Sequence, residues 1–285
     1  MRNLLAVMKA PAGHWVGDGF PVRSLFSPRE SERLSPFLLL DYAAPRRFEP
    51  AATPRGVGVH PHRGFETVTI VYQGEVAHRD STGKGGVIGQ GDVQWMTAAS
   101  GILHEEFHSE AFTRDGGIFE VAQLWINLPA KDKLSAPGYQ SIVSGDIPAV
   151  DLPGGAGAVR VIAGAYDNHG GPARTFTTMN VWDVRLTGRA TFTLPEGHTL
   201  AVVVLAGQAV VNGGATVSEA EVAVFDRTGG EIVVEPAAEA KILILSGEPI
   251  AEPVATYGPF VMNTEDEIRR AIVDYQSGQF GKIAA

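Results

Sequence analysis

Short apolar segments, each closed by a turn signal, recur along almost the whole chain. Residues 67–72 (TVTIVY) are rich in β-branched and aromatic side chains and stop at Gln73-Gly74. The pattern resumes over 75–78, breaks at the turn cluster 81–86 (STGKGG), and returns at 93–96 after Gly89-Gln90-Gly91-Asp92. Residues 119–128 (FEVAQLWINL) again read as a strand of bulky residues. From 129 to 157 the character changes: Pro129, Pro137, Gly138, Pro148, Pro153, Gly154, Gly155 and Gly157 interrupt any long element. Strand patterns then return at 159–163, 180–186, 190–194, 200–205, 209–211, 221–225, 231–234 and 241–245.

The two strand-rich halves resemble each other. Val71-Tyr72-Gln73-Gly74-Glu75-Val76 matches Val204-Leu205-Ala206-Gly207-Gln208-Ala209, and Gly91-Asp92-Val93-Gln94-Trp95-Met96 matches Ala220-Glu221-Val222-Ala223-Val224-Phe225. A repeated order of strand, x-Gly turn, strand, acidic turn and strand implies two similar β-barrels in tandem. The expected division is an N-terminal barrel over 1–135, a linker and crossover over 136–158, a C-terminal barrel over 159–250, and a tail over 251–285. That tail breaks the period. Thr264-Glu265-Asp266-Glu267 is a capping box, and Ile268, Ala271, Ile272 and Tyr275 form one apolar helical face. Glu265–Arg269 and Asp266–Arg270 are spaced to pair on the other side, with Gly278 as the stop.

Composition narrows the function classes. With 44% hydrophobic and 19% charged residues the chain is globular, and 34 Gly and 18 Pro suit short strands and tight turns. A net charge of −9 offers no footprint for gripping nucleic acid directly. The absence of cysteine excludes disulfides, thiolate ligands and a cysteine nucleophile, so any metal must sit on nitrogen and oxygen. Residues 4–8 are apolar but end at Lys9, too short for a signal peptide, and the longest apolar run, 200–206, has the length of a buried strand. A cytoplasmic protein with no membrane span is the expectation.

Two stretches carry ligand-type side chains two residues apart: His60-Pro61-His62 and His104-Glu105-Glu106. On a strand, residues i and i+2 point to one face about 6.6 Å apart. Neighbouring strands of this kind offer three imidazoles and a carboxylate, a set suited to a divalent first-row transition metal with an open position. Alternation selects Glu106 over Glu105 as the partner of His104. The same stretch, His104-Glu105-Glu106-Phe107-His108, satisfies the H-E-x-x-H pattern of helical metalloproteases. That motif requires a helix, which the preceding turn residues 97–101 do not favour, and it leaves His60 and His62 unexplained. His108 reads as a surface histidine, His14 and His78 as surface or hydrogen-bonded residues, and Arg63 and Asp80 as scaffold. The second half holds only His169 and His198, so nothing there matches His104.

The blocks His60-Pro61-His62-Arg63-Gly64-Phe65-Glu66-Thr67, His78-Arg79-Asp80-Ser81, 91–98, Gly101-Ile102-Leu103-His104, 123–130 and 257–264 resemble the pirin family of bicupins. The resemblance spans nearly the whole chain and implies an all-β fold of two tandem cupin (jelly-roll-like) β-barrels closed by a C-terminal α-helix. It implies one metal in the N-terminal barrel held by His60, His62, His104 and Glu106, and a metal-free C-terminal barrel. Pirins usually carry a small residue where this chain has Glu105. Glu66, the motif glutamate that ligates in many other cupins, is expected beside the ligands. Fe(II) is the expected ion, with Mn, Ni, Cu or Zn able to take its place.

Pirin-like bacterial proteins are associated with quercetin 2,3-dioxygenase activity. The implied substrates are a flavonol-like small molecule and O2, with Glu106 accepting the 3-hydroxyl proton and Phe65, Met96, Leu124 and Ile126 available to line a dry cavity. The alternative that the resemblance carries is a non-enzymatic, iron-dependent regulator that binds protein partners.

Overall fold

A computed structural model describes residues 1–9 and 11–284. Strands alternate with tight turns along it, and the chain separates into two compact units. One comprises Met1–Pro11, Ser24–Leu38 and Gly145–Pro249; the other comprises Ala12–Arg23, Leu39–Ser144 and Ile250–Ala285.

The two units repeat one set of antiparallel pairings. In the N-terminal barrel Phe65–Gln73 lies between Gly117–Asn127 and Val93–Thr97, while Ile102–His108 lies between Gly56–His62 and Val76–Asp80. In the C-terminal barrel Thr199–Ala206 lies between Ala240–Gly247 and Glu221–Phe225, while Glu231–Pro236 lies between Ala190–Thr193 and Gln208–Val211. The matched hairpins share their turn chemistry. Gly74 (φ +84°) corresponds to Gly207 (φ +79°), a left-handed conformation that glycine adopts without steric cost. Two tandem cupin barrels result, as the repeat in the sequence implies.

The boundaries expected at 135 and 158 give way in two places. Leu4–Lys9 belongs to the C-terminal barrel, where it extends the sheet beside Glu221–Phe225 in a register starting at Leu4↔Phe225. The expected linker contains strands: Gly138–Ile142 pairs with Val93–Thr97, and Ala149–Asp151 pairs with Gly157–Ala163. Such short edge strands have too few residues to show a period among prolines and glycines. The strand Phe37–Phe48 also has no counterpart in the sequence reading.

Apolar side chains fill the C-terminal barrel. Trp182, Phe192, Leu200, Phe225, Ile232 and Ile244 are buried in one cluster. The strand pair that corresponds to the two histidine stretches carries Ala190, Phe192, Ile232 and Val234, all in that cluster. Where the first barrel has ligand-type residues, the second has hydrocarbon.

The tail forms the expected helix, Glu265–Gln276, with both halves of its capping box in place. Ile268 and Ala271 pack with Phe260, Met262 and Phe280 against the half-buried Leu103 of the N-terminal barrel. Arg269 pairs with both Glu265 and Asp266, so Asp266 meets Arg269 at i+3 rather than Arg270 at i+4. No helix among the described residues is long and apolar enough to cross a membrane.

Candidate metal centre

Pairing of Gly56–His62 with Ile102–His108 sets His104 opposite His60 and Ile102 opposite His62. Donor atoms of His60, His62 and His104 all lie within 4.8 Å of one another. The imidazole centroids are 4.2 Å apart for His60–His104, 4.8 Å for His62–His104 and 4.9 Å for His60–His62. His60 is half-buried, whereas His62 and His104 are buried. Residues 102–108 are a strand, which removes the geometry a metalloprotease helix needs.

Glu106 stands one step further along. The register shifts between His104 and Glu106, a bulge that places Glu106 opposite Val57 on one side and His78 on the other. Its carboxylate groups with His78 and His104, donor atoms again within 4.8 Å, so His104 belongs to both clusters. Glu105 lies on the opposite face of the strand, nearly buried, and accepts from Arg79 Nε at 2.7 Å. The alternation that separated the two glutamates is therefore present.

Neutral donors surround Glu106. Gln94 Nε2 donates to Oε1 at 3.1 Å, Gln123 Nε2 donates to Oε2 at 2.9 Å, and Thr69 Oγ1 approaches Oε1 at 3.4 Å. Behind Glu106, His78 Nδ1 lies 3.3 Å from His104 Nδ1, while its Nε2 lies 3.3 Å from Asp80 Oδ2. Asp80 also caps the 81–84 turn, accepting from Thr82 and Lys84 amides. The tyrosine ring of Tyr139 stacks on His78 at 5.1 Å.

The imidazoles are poised as neutral ligands. Burial holds His62 and His104 well below the usual histidine pKa, reinforced by the neighbouring histidines. His60 Nδ1 donates to the Gly58 carbonyl at 2.8 Å, leaving Nε2 as its lone-pair atom. His62 Nδ1 and His104 Nε2 are buried with no hydrogen-bond partner. Buried polar atoms without partners are costly, and a cation coordinated by them removes that cost. The residues therefore fit a divalent metal.

Several residues take places the sequence did not assign. Glu66 is buried, accepts from Thr97 Oγ1 at 2.7 Å through one oxygen, and leaves the other without a partner. It joins neither donor cluster. His108 is not on the surface: its Nε2 meets the Gly19 carbonyl at 3.0 Å inside a box of Phe20, Phe48, Phe112 and Phe119. His78 is buried within the barrel. Because Gln123 faces Glu106, alternation turns Leu124 and Ile126 to the opposite side of their strand. Phe65 stays on the site side, with its ring 5.1 Å from His62. Trp125, half-buried, completes that wall at 5.3 Å from His62 and 4.3 Å from Phe65. Gln94 and Gln123 stood within the quoted motifs, but only register shows that both reach Glu106.

Comparison with known proteins agrees with this architecture. Residues 19–126 match the Pirin family model and residues 181–281 match the model of the Pirin C-terminal cupin domain. A Pseudomonas aeruginosa protein named "Putative quercetin 2,3-dioxygenase PA2418" is 56% identical over 283 residues, covering 98% of this chain and 99% of that protein. A pirin-like protein from Caulobacter vibrioides is 37% identical over 278 residues, covering 96% and 98% of the two chains. The crystal structure of a quercetin 2,3-dioxygenase from Acinetobacter baumannii superposes with a TM-score of 0.97 at 52% identity over 100% of both chains. With matching family models across both barrels and a full-length relative at 56% identity, this chain belongs to the pirin family.

Proposed function

We propose that this protein is a metal-dependent dioxygenase that opens the ring of a flavonol such as quercetin, using O2 and releasing CO. His60, His62, His104 and Glu106 are the residues that would hold the ion, Fe(II) in the working enzyme. The observation that carries the reading is a buried carboxylate beside a cluster of neutral imidazoles, with only uncharged donors on its oxygens. The names of the relatives support the substrate class.

A divalent ion in this set retains net positive charge and supplies a Lewis acid for a phenolate oxygen. The chain's own residues perform the rest. Glu106 is the proton acceptor for the flavonol 3-hydroxyl. Gln94 and Gln123 each donate to a different oxygen of that carboxylate, so they fix its plane without neutralising it. The enclosed space beside Glu106, lined by Val16, Phe20, Val57, Val121 and Gln123, is about 20 Å³, room for one water. A flavonol therefore approaches from the side where His60, Gln123 and Trp125 are only half-buried. There the half-buried Trp125 ring, backed by the buried Phe65 ring, offers an apolar face that suits a planar polyphenol.

The test is an oxygen electrode and CO detection on iron-loaded protein with quercetin. Stoichiometric O2 uptake and CO release are expected, and His62→Ala abolishes both bound iron and turnover. Turnover surviving in His62→Ala overturns the proposal. Anaerobic flavonol binding by iron-loaded protein that consumes no O2 on aeration points instead to the regulator.

A further inference from the structure

The tail that follows the second barrel ends against the histidine stretch of the first. Val261 N donates to the Arg63 carbonyl at 3.0 Å, and Arg63 N donates to the Pro259 carbonyl at 3.3 Å. The same Pro259 carbonyl lies beside the His62 ring. Gly64 (φ +88°) lies so close to this segment that a Cβ would stand 1.9 Å from the Val261 carbonyl.

Further contacts latch the tail. Arg63 reaches from the histidine stretch to both the tail and the 97–101 turn: Nη1 donates to Asp274 Oδ2 at 2.7 Å and Nε to the Ser100 carbonyl at 2.6 Å. Its guanidinium lies 4.7 Å above the Phe280 ring, and Phe280 packs onto Gly101, where a Cβ would meet it at 2.5 Å. Lys133, buried, donates to the Gly64 carbonyl at 2.7 Å, Val261 carbonyl at 3.0 Å and Asn127 Oδ1 at 2.6 Å. On the other ligand strand Leu103, the neighbour of His104, packs against the tail's apolar cluster.

We propose that residues 255–281 are a positioning element of the metal centre: the Pro259 carbonyl sets the orientation of the His62 ring, and Asp274 with Phe280 keeps that carbonyl in place through Arg63. The proposal rests on the metal-centre reading above. The physical reason is that a ligating imidazole binds well only when its second nitrogen is fixed by an acceptor, and loss of such an acceptor costs about 10- to 100-fold in metal affinity. Here the acceptor is a backbone carbonyl, so the side chains that fix its segment carry the effect.

Co(II) binding to the full-length protein tests it, read by competition with a chelator and by the visible d–d spectrum. Asp274→Ala and Phe280→Ala are expected to weaken Co(II) binding about tenfold or more and to shift the d–d bands. Asp274→Glu, which can still reach Arg63, restores both. A purely structural tail lowers the melting temperature of these variants but leaves affinity and spectrum as in the wild type; that result overturns the proposal while the metal centre stands. Should Asp274→Ala fail to fold, Asp274→Asn is read in the same way. Wild-type protein that binds no Co(II), or His104→Ala that binds it as tightly as wild type, removes the metal-centre reading itself and the proposal with it.

Discussion

Glu66 and Glu106 are both buried, but on opposite faces of the N-terminal barrel's strands and in opposite surroundings. Glu106 accepts from two amides, whereas Glu66 has one hydroxyl donor and one bare oxygen, and burial pushes its pKa up to about 7. An acid whose pKa is higher folded than unfolded binds more protons in the native state between the two values. Stability therefore falls as pH rises from about 4.5 to about 7, by up to about 3 kcal/mol. Glu66→Gln, which keeps an acceptor for Thr97, should flatten that slope in urea titrations of metal-free protein at pH 5 and 7.5. An equal slope in both proteins contradicts the assignment. At Glu106 the expectation concerns turnover: Glu106→Gln lowers quercetin-dependent O2 uptake by about 10²- to 10⁴-fold, measured at saturating iron. Alternation made Glu106 legible in the sequence and set Glu105 on the opposite face. It did not reveal His78, Gln94 or Gln123, because cross-strand neighbours depend on register, and a bulge shifts register beside His104. His108 was misread because its box is assembled from Phe20, Phe48, Phe112 and Phe119, distant in the chain.

Among the elements, strands bounded by clear turn residues were the legible ones. Residues 67–72 and 93–96 fall within Phe65–Gln73 and Val93–Thr97, and the capping box marked the helix start. Phe37–Phe48 was not read, since FLLL runs into a mixed segment containing Pro45 and shows neither period. Lys133 shows how elements are tied once formed. It joins the end of Gly117–Asn127, the Gly64 turn and Phe260–Met262 through three acceptors. Burial pulls its pKa down to about 7, yet three acceptors at 2.6–3.0 Å suit an ammonium, and hydrogen bonding to the charged form opposes the burial. Lys133→Met leaves those acceptors buried and unpaired, so unfolding free energy should drop by about 3 kcal/mol or more in urea denaturation. A midpoint within error of wild type would show that the tie is not needed.

Across the whole molecule, one fold is used twice with different contents. Ala190, Phe192, Ile232 and Val234 close the C-terminal barrel where the N-terminal barrel opens onto histidines. Metal analysis should accordingly saturate at one ion per chain, and a second tight ion retained by His104→Ala would contradict this. Arg2 anchors the leading segment by donating to the His198 and Asp226 carbonyls at 2.6 and 3.1 Å and to the Pro195 carbonyl. The duplication was visible in the sequence, but the place of Leu4–Lys9 was not, because pairing with a strand two hundred residues away leaves no local signature. That pairing has a consequence for biosynthesis. At roughly 5–20 residues per second, a ribosome releases the opening ribbon about ten to forty seconds before the mate that will cover it. Refolding from urea sets both free together, so yields from dilution and from translation should part company when that ribbon is made stickier.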